Sequence, residues 1–264
     1  MEDPWDQGDE TEILPLRWGS PRGDPEKEFL AWFRLRWAPG DHLAIIAPTK
    51  AGKTTFAVGL LQIRKFVLAF DPKGGDSTLA ASGFERITSW PLPRHIRKQI
   101  QERQPTRLIV GAVVQNRAER AELRTLQAKV LSQVFDIGGF TVYIDEHQLL
   151  SDPRFMHLGA DSDELHIAAR DREISMVTAQ QSTRWASKTS AEQSYWLALS
   201  QTRDREIVRR MSEMSGRPAA EVRGILRGLM THAWALFSRS PYDPVGVTIP
   251  AEVKRKNVRR PDAA

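Results

Sequence analysis

Ala47-Pro48-Thr49-Lys50-Ala51-Gly52-Lys53-Thr54-Thr55, directly after the apolar run Leu43-Ala44-Ile45-Ile46, decides how the chain folds. It matches the phosphate-binding pattern G-x-x-x-x-G-K-[ST] at every fixed position but the first, where Ala47 stands for glycine. Such a loop curls its backbone N–H groups round a phosphate and feeds the positive end of the helix behind it. Pro48, Thr49, Lys50, Ala51, Gly52, Lys53, Thr54 and Thr55 are therefore the expected nucleotide-binding residues. Lys53 is expected on the β- and γ-phosphates and the Thr54 hydroxyl on Mg²⁺. Alanine at 47 is tolerable where the backbone does not need positive φ. The apolar stretch Phe56-Ala57-Val58-Gly59-Leu60-Leu61 suits the helix that must follow.

Outward from this loop, short apolar runs alternate with longer amphipathic stretches. Strands are expected at 42–47, 66–70, 107–113, 140–144, 174–179 and 195–200. Helices are expected at 53–63, 93–103, 116–135, 162–172 and 203–215. One more, at 24–37, opens on Asp24-Pro25-Glu26 and stops at Pro39-Gly40. Continuous apolar strands separated by helices are the pattern of a mostly parallel sheet buried on both faces. The expectation is an α/β fold, one domain with a mostly parallel central sheet flanked by helices, which the family resemblance given below implies to be a P-loop NTPase of the ASCE (RecA-like) type.

Phe140-Thr141-Val142-Tyr143-Ile144-Asp145-Glu146 completes the nucleotide site as a Walker B strand. Asp145 at its carboxyl end is expected to hold Mg²⁺ through water. Glu146 is placed to polarise a water for attack on the γ-phosphate. The adjacent glutamate favours ATP hydrolysis over a GTPase or kinase, and no guanine-reading Asn-Lys-x-Asp occurs. ATP and Mg²⁺ are thus the expected small-molecule partners.

The 264 residues hold no cysteine, which excludes disulfides, a thiol nucleophile and Cys-ligated zinc or iron–sulfur centres. No apolar run reaches the roughly 20 residues of a membrane helix, and Met1-Glu2-Asp3-Pro4 lacks the basic start of a signal peptide. A cytoplasmic location is expected. No H-E-x-x-H or G-x-S-x-G occurs. Net charge is +5, but residues 1–12 carry six acids and no base, so the rest of the chain sums to +11. Lys254-Arg255-Lys256-Asn257-Val258-Arg259-Arg260 forms a basic tail. The expected division is an acidic arm at 1–23, the ATPase domain at 24–246 and a basic tail at 247–264. Arm and tail suit a polyanion, or each other between subunits, or plain solvation.

Three further segments resemble the FtsK–HerA superfamily of DNA-pumping ATPases, which includes phage genome-packaging ATPases. Phe66-Val67-Leu68-Ala69-Phe70-Asp71-Pro72-Lys73-Gly74-Gly75 is similar to its strand ending in Asp-Pro-Lys-Gly. The stretch from Ala169 to Gln181 resembles its arginine, short turn, apolar strand and Thr-Gln, with Gln180 in place of the threonine. The stretch from Tyr195 to Arg210 resembles the element after that glutamine, and the likeness spans about residues 40–240.

The resemblance implies that Gln181 senses the γ-phosphate from a strand between the two Walker strands. It implies a homo-oligomeric, hexameric ring in which a neighbour's arginine completes each site. Arg170 matches that position best, Arg172 second, with Arg184 an outside candidate; each serves equally as a surface ion-pair partner. Asp71 and Lys73 fit the motif without an assigned role.

Double-stranded DNA is the implied partner, docked through a capsid or portal vertex or a membrane channel. That places the chain in host cytoplasm or on a virion. Candidate DNA-facing groups are Arg94, Arg97 and Lys98; Arg117, Arg120 and Arg124; and the C-terminal tail. The second set equally forms a solvated face with Glu119 and Glu122. Trp18, Trp32 and Trp37 read as core or subunit contact. Two readings share the motifs, a conjugative DNA-transfer ATPase and a filamentous-phage assembly ATPase. A non-motor nucleotide switch is a third, against which Glu146 and Gln181 both speak.

Overall fold

Alternating side chains on continuous apolar strands need cover on both faces, and the fold supplies it. The computed structural model describes residues 11–181 and 188–249. In chain order the elements are β1 (Ile13–Arg17), α1 (Phe29–Arg36), β2 (Leu43–Ile46), α2 (Lys53–Leu61), β3 (Phe66–Phe70), α3 (Ser77–Ala80), β4 (Glu85–Ile87) and α4 (Arg94–Gln101). Then come β5 (Thr106–Val110), α5 (Arg117–Ile137), β6 (Thr141–Ile144), α6 (His147–Ser151) and α7 (Gly159–Ala168). The described chain closes with β7 (Ser175–Gln180), α8 (Lys188–Gln193), β8 (Trp196–Ser200), α9 (Arg205–Ser215), α10 (Ala219–Gly228), β9 (Trp234–Ser238) and β10 (Val245–Ile249).

All ten strands form one sheet in the order β1-β10-β9-β8-β2-β7-β6-β3-β5-β4. From β8 to β4 every pairing is parallel, whereas β9 runs antiparallel to both β8 and β10. In β2 the two-residue period sends Leu43 and Ile45 to one core, with α1 and α2, and Ala44 and Ile46 to the other side, under α9 and α10. Next to the latter, Leu68, Phe70, Val142 and Ile144 pack under α5 through Leu123, Val130, Leu131 and Val134. Trp32 and Trp37 lie in the first core, with Trp18 packed against it.

Several boundaries differ from the sequence reading. Residues 13–17, inside the stretch read as arm, pair in parallel with β10, and β10 itself runs three residues past 246. The acids around them masked a short apolar strand, Ile13-Leu14-Pro15-Leu16. Helix α1 begins at Phe29 instead of 24, because the backbone at Lys27 and Glu28 is engaged with Arg17 at the end of β1. Helix α7 ends at Ala168, and a short 3-10 turn at Arg170–Arg172 follows. Residues 1–10, Arg184 and the tail from 250 lie outside the described residues.

Buried His166 meets buried His42 and His147 edge-to-face, with ring centroids 5.5 and 5.7 Å apart. Burial pushes His42 and His147 down to about 4, and burial with the neighbouring His147 and His42 holds His166 well below its ordinary value. Their neutral forms fit the fold, so that fit is fully present above the unfolded value near 6.5 and is lost as pH falls through the folded values. Below the unfolded value the fold weakens as pH falls, because the unfolded chain takes up protons that the buried rings resist. The urea midpoint is therefore lower at pH 5 than at pH 7, and His147→Gln narrows the difference. Equal midpoints at the two pH values would contradict this.

Candidate active site

The loop Ala47–Thr55 leaves β2 at its carboxyl end, where β3, β6 and β7 also end, the usual crevice of an open parallel sheet. The Ala47 N–H donates to Gln180 O at 3.1 Å, and Ala47 is not among the positive-φ residues. Alanine therefore fits there without strain. Gly52, at φ 87°, makes the left-handed step into α2. Lys53 Nζ donates to Ala47 O and Pro48 O, both at 3.0 Å, along the inner edge of the loop. Burial pulls the Lys53 ammonium below its ordinary range, opposed by Glu146 and Asp145.

The Thr54 hydroxyl donates to Asp145 Oδ1 at 3.0 Å, and the buried Tyr143 hydroxyl donates to the same oxygen at 2.6 Å. Burial raises the Asp145 carboxyl, with the Tyr143 hydrogen bond opposing it and the Asp76 charge adding to it. A hydroxyl beside one carboxylate fits Mg²⁺, which takes oxygen donors and keeps waters and substrate phosphates for its other positions. Among the described residues no group of three or more His, Asp or Glu builds a closed metal cage.

Glu146 sits at φ 59°, a bend that turns its side chain from β6 toward its neighbours. Gln181 Nε2 donates to Glu146 Oε1 at 2.6 Å, and Thr49 Oγ1 donates to Gln181 Oε1 at 3.1 Å. Lys73 forms an ion pair with Glu146. Burial lowers the Lys73 ammonium, but the hydrogen bond and charge of Glu146 outweigh it and the net direction is upward. Asp71 is 1% exposed and accepts from the backbone N–H of Lys73, Gly75 and Asp76, which fixes the loop carrying Lys73. A cavity of about 300 Å³ joins these groups, with Lys53, Thr54, Lys73, Asp145, Glu146 and Gln181 in its wall.

Of the residues singled out from the sequence, the structure brings Thr49, Lys53, Thr54, Asp145, Glu146 and Gln181 together, and it adds Tyr143 and Lys73 to them. Tyr143 reads as core in an apolar strand, although its i, i+2 spacing from Asp145 on one strand face was the available signal. Lys73 carried a motif but no role, since only the fold brings it to Glu146.

Arg170 does not reach this cavity within one chain. It precedes β7, at the opposite end of that strand from Gln181, and pairs with Asp41 at 3.5 Å. Arg172 lies over the Phe135 ring at 4.4 Å. Arg120 is likewise engaged, 4.1 Å over Phe155, so the 117–124 stripe is not a uniformly free face. Arg94, Arg97 and Lys98 on α4 remain exposed beside a surface hollow.

No protein-family model matches the chain, and no curated protein matches it in sequence. Solved structures match by shape. The genome packaging NTPase B204 from Sulfolobus turreted icosahedral virus 2, in complex with AMPPCP, gives a TM-score of 0.52 at 15% identity over 81% of this chain and 100% of that one. Its sulfate complex gives 0.54 at 14% identity, covering 81% and 98%. VirB4 of Thermoanaerobacter pseudethanolicus gives 0.50 at 13% identity, covering 87% and 94%. The shared feature is the fold, a P-loop NTPase domain with a mostly parallel sheet flanked by helices.

Proposed function

We propose that the chain is an ATPase of the FtsK–HerA superfamily that moves double-stranded DNA, in a genome-packaging role, as a homo-oligomeric ring of six. The observation that carries this reading is the chain of contacts Thr49–Gln181–Glu146–Lys73. It ties the phosphate loop to the Walker B glutamate through a strand lying between the two Walker strands. A glutamine so placed can convert loss of the γ-phosphate into movement of β7. The fold shared with a genome packaging NTPase supports the packaging role.

In the proposed reaction Lys53 and the loop amides hold the triphosphate. Glu146 accepts a proton from water as the water oxygen bonds to the γ-phosphorus. The bond from that phosphorus to the β–γ bridging oxygen breaks, releasing ADP and phosphate. Thr54 and Asp145 would hold Mg²⁺, which when bound would supply charge neutralisation on the phosphates. Arg170 of a neighbouring subunit is the proposed finger, since its guanidinium is exposed and distant from its own chain's site. Hydrolysis in this scheme takes place in host cytoplasm or at a virion vertex. No helix among the described residues is long and apolar enough to cross a membrane.

A second reading, a conjugative DNA-transfer ATPase that docks on a membrane channel, rests on the same sequence motifs. Both readings expect double-stranded DNA to stimulate hydrolysis severalfold at low salt, and the effect to fade as salt screens the phosphate contacts. An ATPase assay on size-separated oligomers, with and without duplex, checks this. A rate indifferent to DNA would favour the non-motor nucleotide switch.

A further inference from the structure

Beyond β8 the chain builds a hollow of about 290 Å³, lined by Thr202, Arg203, Arg205, Val208, Arg223 and Arg227. Arg223 and Arg227, one helical turn apart, stand on one face of α10. Arg203 and Arg205 flank the start of α9. Gln201 Nε2 donates to Arg227 O at 3.4 Å, which returns the end of α10 to the start of α9. All four arginines are exposed, and among the described residues no carboxylate pairs with any of them. The acids nearby are already engaged. Asp204 accepts from the N–H groups of Glu206 and Ile207, Glu206 and Glu213 pair with Arg209, and Glu221 pairs with Arg217. Like charges round one hollow repel each other, so the hollow suits an anionic occupant.

One segment of the chain carries the complementary charge. Residues 1–10, Met1-Glu2-Asp3-Pro4-Trp5-Asp6-Gln7-Gly8-Asp9-Glu10, hold five acids and no base. They lead into a point fixed beside the far end of α9. Arg217, just past that helix, donates to Thr11 Oγ1 at 2.6 Å, and the Val245 N–H donates to Glu12 O at 2.8 Å. From there to the hollow is the length of α9, 11 residues or about 16 Å. The extended chain from Thr11 back to Trp5 spans up to about 20 Å, so Trp5 and the acids on either side of it come within reach. We propose that the acidic arm lies back along α9 and seats Asp3, Trp5 and Asp6 in the arginine hollow of its own chain. The carboxylates accept from the guanidinium forks, and the Trp5 indole stacks on one of them. The hollow lies at the carboxyl end of β8, next to β2 and the phosphate loop. Docked there, the arm covers positive surface on the same end of the sheet as the nucleotide cavity. This docking stands apart from whatever that cavity binds.

With no cysteine in the chain, two introduced ones label cleanly. In the full chain, Gln7→Cys with Gly224→Cys carries a pair of spin labels, one on the arm and one on α10 between the arginines. Gly224 is exposed, and a Cβ there has nothing within 4 Å. Pulsed dipolar spectroscopy at low salt is expected to give one narrow, short distance. At about 1 M salt, where charges are screened beyond about 3 Å, a broad and longer distribution replaces it. Arg223→Gln with Arg227→Gln does the same at low salt, with circular dichroism reporting that the helices persist. A broad distribution at low salt in the unaltered arm, insensitive to salt and to the arginine replacements, would overturn the proposal. So would a short distance that appears only when chains labelled singly at 7 and at 224 are mixed, since the arm would then belong to a second copy. If the arginine replacements weaken duplex DNA binding while the labels stay apart, the hollow takes nucleic acid and the arm is excluded from it.

Discussion

Glu146→Gln binds ATP with nearly unchanged affinity and hydrolyses it roughly 10²–10⁴-fold more slowly, the range for losing a general base. The amide is nearly isosteric and still offers an oxygen to Gln181 Nε2, which donates to Glu146 Oε1 at 2.6 Å in the unaltered site. What it lacks is a charge to draw a proton from water. The ion pair with Lys73 is lost with it, and Lys73 becomes free to turn toward added phosphate, which favours binding and not turnover. Steady-state hydrolysis and a binding titration on the same sample separate the two effects. Full activity in Glu146→Gln would sink the catalytic assignment.

Lys53→Ala abolishes nucleotide binding, a loss of about 100-fold or more, as expected for removing a charge-assisted contact from a partly desolvated site. In this fold the side chain lies along the loop and bonds to Ala47 O and Pro48 O. Its removal therefore withdraws a cation and loosens the loop that presents the amides. Circular dichroism would show the sheet intact, because the main cores do not depend on Lys53. Wild-type ATP affinity in this variant would mean that the loop is not a phosphate site.

The sequence made the centre of the fold legible and its margins obscure, for physical reasons. Strands buried on both faces, such as Leu43–Ile46 and Thr141–Ile144, read as unbroken apolar runs. The loop, Asp145 and Glu146 stood out because their chemistry restricts residue type at fixed spacing. The strands β1, β9 and β10 did not; β1 is exposed along much of its length and pairs with β10 from the opposite end of the described chain. Nor did the start of α1, where Asp24-Pro25 is a good helix start overruled by a tertiary contact with Arg17. Within the site, residues acting through contact at long range stayed hidden. Lys73 meets Glu146 across 73 positions and Thr49 meets Gln181 across 132, and no local pattern announces either.

ATP-driven movement along duplex DNA is the central claim, and displacement of a third strand from a triplex reads it directly. The chain, with ATP and a duplex carrying a fluorescent triplex-forming strand, is predicted to release that strand in proportion to hydrolysis. Glu146→Gln releases none. Brisk DNA-stimulated hydrolysis with the third strand left in place would contradict the account.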